Sequence, residues 1–315
     1  MLVSILIPCH NAEKWIAQAI QSALSQTHRS CEVHVIDDGS TDGSLSIIKQ
    51  FGNKITWTSR ENRGSNVTRN ELLNRARGDW VQFLDSDDYL ETDKVSTQLR
   101  EAQSDSDVLF SPVIEESWKG ERMHARRAGH LDDQTDVMTH WLSWRVCQTG
   151  AALWKTQAIK YIGGWNEKQP CCQDNEIMLR AQQAELRLQL TPTARTVYRL
   201  WSDDTLCHRD PRKTLMEKTR LIDKALAWLK QTNQLSHAHI AAAEEVFYAT
   251  SRTLMKVDHK VASNYLQERR ERGLGKPRPT AATPRSYCLA FNYLGFKCAE
   301  QLASTARLLT NRVQP

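Results

Sequence analysis

The sequence has few of the features that mark a membrane-spanning, secreted or zinc-binding protein. None of its apolar runs approaches the roughly 18 residues that a membrane-spanning helix needs. Residues 1–8 have no basic flank and reach a proline too early for a signal peptide. The eight cysteines include no C-x-x-C pair and no histidine at zinc spacing. We therefore expect free thiols, including the adjacent Cys171 and Cys172, and a cytoplasmic location.

Charge is distributed unevenly along a chain whose composition is that of a soluble globular protein. Of the 315 residues, 40% are hydrophobic and 25% are charged. Residues 209–315 carry 19 Lys and Arg against nine Asp and Glu, whereas residues 1–208 carry 23 against 28. This asymmetry predicts two parts with different roles, a domain over 1–208 and a basic region over 209–315. A basic region suits an anionic surface, such as a membrane, a polysaccharide or a nucleic acid.

The first part of the chain alternates apolar segments with polar loops and amphipathic segments. Apolar or β-branched segments predict strands over 3–8, 32–36, 55–59 and 80–84. Helical spacing follows the first strand, from Ile16 to Leu24. Strand, loop and helix repeated in this order predict a doubly wound α/β sheet, which binds ligands at the carboxyl ends of its strands.

Three carboxylates fall within four residues directly after the predicted strand 80–84. Asp85, Asp87 and Asp88 would repel one another unless a cation lay between them, and a hard divalent cation carrying a diphosphate is the usual solution. A polar turn is the alternative, because Asp and Ser are ordinary turn residues. These residues alone leave both interpretations open.

Four motifs occur in order within the first 90 residues. They are Pro8-x-His10-Asn11, Val35-Ile36-Asp37-Asp38-Gly39-Ser40-x-Asp42, Asn62-x-Gly64-x5-Asn70 and Phe83-Leu84-Asp85-Ser86-Asp87-Asp88. Together they resemble the nucleotide-binding half of family 2 glycosyltransferases. The resemblance covers about residues 2 to 205. It implies a GT-A type α/β fold: a Rossmann-like, open mixed sheet flanked by helices, with a C-terminal α-helical extension. Residues 1–110 would form the nucleotide-sugar-binding half and 111–208 the acceptor half.

The resemblance also implies an activity. It is transfer of a sugar, with inversion at the anomeric carbon, from a nucleoside-diphosphate sugar to a saccharide or lipid-linked acceptor. The donor nucleoside would be uridine, the cofactor Mn²⁺ or Mg²⁺, and the pathway cell-surface polysaccharide or glycoconjugate synthesis. A member of the same fold that binds nucleotide sugar or polysaccharide without turnover is the alternative.

Roles for individual residues follow from the same resemblance. Asp38 would accept a hydrogen bond from the base ring, Asp85 would contact the ribose, and Asp87, together with Asp88, would bind the metal ion. Arg69, like Arg63, is either a phosphate contact or a solvated charge. The residues expected to bind nucleotide sugar are Pro8, His10, Asn11, Glu13, Asp38, Arg69, Asp85 and Ser86.

Asp174 lies in the segment Cys172-Gln173-Asp174-Asn175-Glu176, which resembles the family's catalytic motif. Its carboxylate would be the general base that deprotonates the acceptor hydroxyl. The competing interpretation is a helix N-cap. The family often has a histidine where this chain has Trp201, which leaves the metal without an identified further protein ligand. His208 is a candidate substitute.

The rest of the chain is less patterned. We predict a strand over 107–113, an irregular excursion over 115–129, and a tryptophan cluster near 141–154 that either stacks on sugars or packs in the core. Helical stripes follow over 215–229, 240–265 and 286–309, with a linker at 273–279. The last helix could lie on the inner face of a membrane, pack on the catalytic domain or form a homodimer. Nucleic-acid binding is not expected, because no aromatic and basic residues interleave.

Overall fold

A computed structural model describes residues 1–146, 148–201, 210–280 and 282–311, with side chains as far as 306. Its strands are β1 (Val3–Cys9), β2 (Cys31–Asp38), β3 (Thr56–Arg60), β4 (Trp80–Phe83), β5 (Tyr89–Leu90), β6 (Val108–Phe110), β7 (Val113–Lys119), β8 (Arg122–Ala128), β9 (Ala152–Lys155), β10 (Leu188–Leu190) and β11 (Thr196–Leu200). Its helices are α1 (Ile16–Leu24), α2 (Ser44–Gln50), α3 (Ser65–Arg75), α4 (Lys94–Glu101), α5 (Val137–Leu142), α6 (Thr156–Tyr161), α7 (Gln173–Gln183), α8 (Pro211–Gln231), α9 (His237–Val257), α10 (His259–Glu271) and α11 (Arg285–Asn311).

The described chain forms two compact units. The first comprises Met1–Val137 and Arg145–Arg209, and the second comprises Met138–Trp144 and Asp210–Pro315. No sequence pattern predicts that the short segment Met138–Trp144 belongs with the C-terminal helices. The predicted boundary after residue 208 falls outside the described residues and stays a prediction.

A seven-stranded mixed sheet forms the centre of the first unit. Its strand order is β10-β6-β9-β4-β1-β2-β3, and β1 lies parallel to both β2 and β4. Every residue of β1 is buried, which explains its continuous apolar run. Helix α1 packs Ile16, Ala19 and Ile20 into the same core cluster. The four predicted strands and the helix between the first two are therefore confirmed, and the carboxyl ends of β1, β2 and β4 meet at one edge.

The predicted strand over 107–113 is wrong in one respect. The segment forms two strands in different sheets, because β6 belongs to the large sheet and β7 to a four-stranded sheet of order β5-β11-β7-β8. Pro112 stands between them and has no N–H to donate to a continuous ladder. The chain changes sheets at this point.

The segment 115–129, predicted to be irregular, is largely a β-hairpin. β7 and β8 pair antiparallel, with a register shift at Ser117 and Trp118. Most of β8 is exposed, so neither face carries the apolar alternation by which a half-buried strand is recognised. The sequence lacks the signal because the hairpin buries little apolar surface.

The second unit is helical. The predicted stripe over 240–265 is two helices rather than one, because Asp258 leaves the helical conformation and its carboxylate accepts hydrogen bonds from the backbone N–H groups of Lys260 and Val261. α11 contains a break at Gly295, whose φ is 79°. The linker 273–279 lies between α10 and α11, as predicted. None of the described helices has the length and apolar character to cross a membrane.

Two of the tryptophans near 141–154 are buried. Trp141 is 0% exposed and Trp154 on β9 is 2% exposed, whereas Trp144 is half-buried. These exposures favour core packing for Trp141 and Trp154. His208, the candidate metal ligand named from the sequence, lies outside the described residues.

Candidate functional site

The carboxylate of Asp38 lies at the end of β2, buried against the loop that follows β3. Its Oδ1 accepts from the backbone N–H of Arg63 and its Oδ2 from that of Gly64, both at 2.9 Å. Arg60 donates a third hydrogen bond through Nη1. Because a carboxylate has about four acceptor positions, Asp38 shapes this loop and keeps capacity for one further donor.

The loop after β1 is tied to the loop after β2. His10 places Nδ1 3.0 Å from the carbonyl oxygen of Asp38, and the Asn11 side-chain oxygen accepts from Thr41 N–H at 2.8 Å. Glu13 accepts from Gly43 N–H at 2.7 Å. Three predicted binding residues thus join two neighbouring strand ends. Pro8 is different, because it is buried within β1.

Arg69 on α3 connects two predicted site residues. Its Nη2 donates to Asp85 Oδ1 at 2.7 Å, and its Nη1 donates to Gln173 Oε1 at 3.0 Å, one residue before Asp174. The guanidinium lies 4.6 Å from the ring centre of Trp165. Arg69 is buried, which contradicts the solvated-charge interpretation; Arg63 is exposed.

Residues at the end of β11 and directly after it donate hydrogen bonds to Asp87 and Asp88. The indole Nε1 of Trp201 donates to Asp87 Oδ2 at 2.9 Å, and the backbone N–H of Arg199 donates to Asp88 Oδ1 at 2.9 Å. Burial raises the pKa of both carboxyls, and neighbouring carboxylates raise them further. Ser86 lies between them and Asp85 and is partly exposed.

These acids suit a divalent cation only in part. In the described part of the chain, no group of three or more His, Cys, Asp or Glu side chains is arranged to hold a metal ion. Asp85 is paired with Arg69, and Asp88 is 2% exposed. Asp87 fits best, since a hard oxygen in a cluster of like charges is the kind of group that Mg²⁺ and Mn²⁺ bind.

Asp174 is the second residue of α7 and does not cap it. The N-cap is Cys172, which has a left-handed backbone and makes no side-chain capping hydrogen bond. The Asp174 Oδ1 accepts from Thr149 Oγ1 at 2.7 Å instead. The N-cap interpretation is therefore wrong.

The surroundings of Asp174 give it the character of a proton acceptor near neutral pH. Burial raises its pKa to about 6, with Arg69 lowering it and Asp85 raising it. Beside it lies a small pocket whose lining includes Phe110, Trp154 and Trp165. An apolar cavity with one titratable group on its wall is a typical position for a catalytic acid or base.

Several residues of this site are not predictable from sequence spacing. Thr149 lies 25 residues from Asp174, and Arg199 lies 112 residues from Asp87, to whose carbonyl oxygen it donates. The family resemblance covers their segments but assigns no role to either side chain. Only the fold of the sheet brings them together.

Comparison with known proteins identifies the family. The family model described as glycosyl transferase family 2 matches residues 4–162, half of the chain. An uncharacterized glycosyltransferase of Haemophilus influenzae is 41% identical over 102 residues, which are 31% of this chain and 41% of that protein. Chondroitin synthase of Escherichia coli is 40% identical over 107 residues, 33% of this chain and 16% of that protein. The chain thus matches less than half the length of either relative.

Solved structures share the fold. S. aureus TarS 1–349 in complex with UDP-GlcNAc aligns with a TM-score of 0.56 and 16% identity, covering 98% of this chain and 92% of that one. The mannosyltransferase PcManGT from Pyrobaculum calidifontis, in complex with GDP-Man and Mn²⁺, aligns with a TM-score of 0.53 and 15% identity, covering 97% and 79%. The predicted GT-A type α/β fold with C-terminal helices is confirmed. The chain belongs to glycosyl transferase family 2.

Proposed function

We propose that this protein transfers a sugar from a nucleoside-diphosphate sugar to an acceptor hydroxyl, with inversion, and that Asp174 is the general base. The observation that carries the proposal is the position of Asp174 beside the cavity, with a pKa of about 6 and a bridge through Gln173 and Arg69 to Asp85. Two structural relatives support the donor class, since they are complexes with UDP-GlcNAc and GDP-Man.

In the proposed reaction the acceptor oxygen attacks the anomeric carbon as the bond from that carbon to the diphosphate oxygen breaks. The acceptor proton passes to a carboxylate oxygen of Asp174, and the nucleoside diphosphate leaves with the bonding electrons. Attack from the face opposite the leaving group inverts the anomeric configuration. Thr149 keeps the base oriented through its hydrogen bond to Oδ1.

The acids near the ends of β2 and β4 would hold the donor. We assign the base-ring contact to Asp38, with uracil as the preferred ring, and the ribose contact to Asp85. Asp87 would bind Mn²⁺ or Mg²⁺, which when present neutralises charge on the departing diphosphate. Asp88 would support Asp87 rather than bind metal, because Asp88 is buried whereas Asp87 is partly exposed.

For the acceptor we propose a saccharide or lipid-linked saccharide of a surface polysaccharide. The support is the similarity of a third of the chain to chondroitin synthase, a polysaccharide-forming enzyme by its name. The region between β6 and α7, which includes most of the cavity lining, would select it.

The test is transfer and donor hydrolysis with a panel of sugar nucleotides in the presence of Mn²⁺ or Mg²⁺. We expect Asp174→Asn to lower turnover at least 100-fold, the lower range of general base catalysis being about 10²-fold. Exposed Asp133→Asn is the matched control. Proton coupling constants of the product report its anomeric configuration. Full activity of Asp174→Asn would refute the role of the base, and UDP binding without turnover would favour the non-catalytic alternative.

We also propose that the second unit contacts an anionic membrane surface. Around the break in α11, Leu289, Tyr293 and Leu294 are 59%, 84% and 56% exposed, with the exposed Lys297 close by. An apolar face beside positive charge is typical of an interfacial helix. The 315-residue protein should sediment with phosphatidylglycerol vesicles more than with phosphatidylcholine vesicles, and the double substitution Leu289→Ser and Leu294→Ser should abolish this preference. A light-scattering mass of two chains that falls to one chain in this variant would instead assign the face to a homodimer.

A further inference from the structure

Trp201 and Arg199 hold the turn that carries Asp87. Besides the indole hydrogen bond to Asp87 Oδ2, Arg199 Nη1 donates to the Asp87 carbonyl oxygen at 2.6 Å. Side chain and backbone of Asp87 are therefore both fixed from β11 and the residue after it. This doubled attachment restricts the directions that the carboxylate can take.

The two holding side chains are themselves rigidly packed. The Arg199 side chain is 1% exposed and its guanidinium lies 4.4 Å from the ring centre of Trp15 and 4.5 Å from that of Tyr89. The Trp201 ring lies 6.0 Å from that of Trp15, which also contacts Trp118 at 5.0 Å. Aromatic rings packed around the buried Arg199 guanidinium can keep the Trp201 indole N–H directed at one oxygen of Asp87.

The chemistry of the indole determines what Trp201 can contribute. An indole N–H is a donor only, so it cannot be a metal ligand, whereas an imidazole at the same position could. Its hydrogen bond takes one acceptor position of Asp87 Oδ2 and so favours Oδ1 as the oxygen that a cation binds. Asp87 then offers a single oxygen. Because the described residues form no cluster of three or more metal-ligating side chains, the remaining coordination positions are open to diphosphate oxygens and water.

Building on the proposed function, we infer that Trp201 is a positioning residue that makes Asp87 a one-oxygen ligand, so that the divalent cation binds tightly only together with the nucleoside diphosphate. Protein alone should bind Mn²⁺ weakly, and UDP should increase the affinity strongly. Mn²⁺ should likewise increase the affinity for UDP, because each ligand must raise the affinity of the other by the same factor.

The experiment measures Mn²⁺ binding by the paramagnetic resonance of free Mn²⁺, with and without UDP. We expect Trp201→Phe, which keeps a ring but loses the N–H, to weaken Mn²⁺ binding in the presence of UDP by about 10-fold or more, the size of effect that partners of metal ligands have. UDP binding in EDTA should be unchanged. Trp201→His should bind Mn²⁺ more tightly than wild type without UDP. Trp57→Phe on β3 is the control.

The outcomes separate this inference from the proposed function. If Asp87→Ala loses Mn²⁺ binding while Trp201→Phe binds Mn²⁺ as wild type does, the role inferred for Trp201 is wrong. The proposed function is unaffected by that result. Absence of Mn²⁺ binding to wild type with UDP overturns the metal part of the proposed function.

A measurement on the unsubstituted protein tests the inference even if the variants misfold. In protein labelled with 5-fluorotryptophan, Mn²⁺ with UDP should broaden the Trp201 resonance far more than that of Trp57. Equal broadening of the two resonances overturns the inference.

Discussion

Thr149 donates a hydrogen bond from Oγ1 to Asp174 Oδ1 over 2.7 Å, joining the turn before β9 to the start of α7. The bond stabilises the charged form of the carboxylate and lowers the pKa of Asp174, against the larger effect of burial. It thus opposes the desolvation that would otherwise leave the base protonated.

This bond predicts a shifted pH profile. With a pKa of about 6, Asp174 loses its proton as the pH rises, so turnover should increase through pH 6 and level off above it. Thr149→Val should move the half-maximal pH upward by roughly half to one unit, since a net hydrogen bond contributes about 0.5–1.5 kcal/mol. The plateau should change less than the midpoint. The measurement is kcat against pH; a midpoint that stays in place in Thr149→Val would contradict the assignment.

Arg69 should matter for both stability and activity. Its side chain is 7% exposed and that of Asp85 is 27% exposed, so Arg69→Gln leaves a partly buried carboxylate unpaired. We expect the free energy of unfolding to fall by about 2–4 kcal/mol, somewhat less than the about 3–5 kcal/mol for a fully buried pair. The pKa of Asp174 should rise, because Arg69 lowers it.

Arg75 on the same helix is the control for Arg69. Its pair with Glu71 is more exposed, 37% and 28%, so Arg75→Gln should cost about 0.5 kcal/mol or less. Urea unfolding of the two variants gives the comparison. Equal decreases in the free energy of unfolding would show that the Arg69–Asp85 pair contributes no more stability than an exposed pair.

Lys94 is a buried ammonium group whose described hydrogen bond goes to the amide oxygen of Gln82. Burial lowers its pKa well below the ordinary value, so between the two pKa values the unfolded chain binds more protons than the folded one. Stability therefore rises with pH across that window. We expect wild type to gain stability relative to Lys94→Met as the pH increases from 7 to about 9.5. Unfolding of Lys49→Met, an exposed lysine, should show no such trend.

Gly39 follows Asp38 and has no room for a side chain. Its φ is +73°, and an added Cβ would lie 2.7 Å from the backbone nitrogen of Asn62. Gly39→Ala should cost more than the about 1–2 kcal/mol of left-handed strain and should weaken UDP binding by displacing the Asp38 loop. Gly52 has a φ of +56° with nothing within 4 Å, so Gly52→Ala measures the strain alone. Matching thermal shifts in the two variants would show that the contact with Asn62 is unimportant.

The sequence predicts the central sheet well because its strands are buried and apolar. β1 and β4 are recognisable from their residues alone, and the acids after β4 mark the site. What cannot be predicted is how these acids are used. Asp85 has an arginine partner on α3 and Asp87 an indole 114 residues away, and the sequence motifs mark neither pairing.

Local rules explain some of the remaining errors. The N-cap interpretation of Asp174 was reasonable for a helix beginning near it, but the helix starts at Gln173 after a left-handed Cys172, and the carboxylate turns to Thr149. Apolar periodicity does not predict the divided helix at Asp258, because the periodicity continues on both sides of that residue. In each case the backbone conformation of one residue, Cys172 or Asp258, determines where the helix begins.

The segment Met138–Trp144 limits how this protein can be shortened. It lies in the first half of the sequence but belongs to the compact unit formed by the C-terminal helices. Its Trp141 is 0% exposed, and the Nζ of Lys218 on α8 lies 4.7 Å from the ring centre of Trp144. An expression fragment that stops near residue 208 would keep these indoles without the helices of their unit, and would present them to other molecules as an adhesive apolar surface.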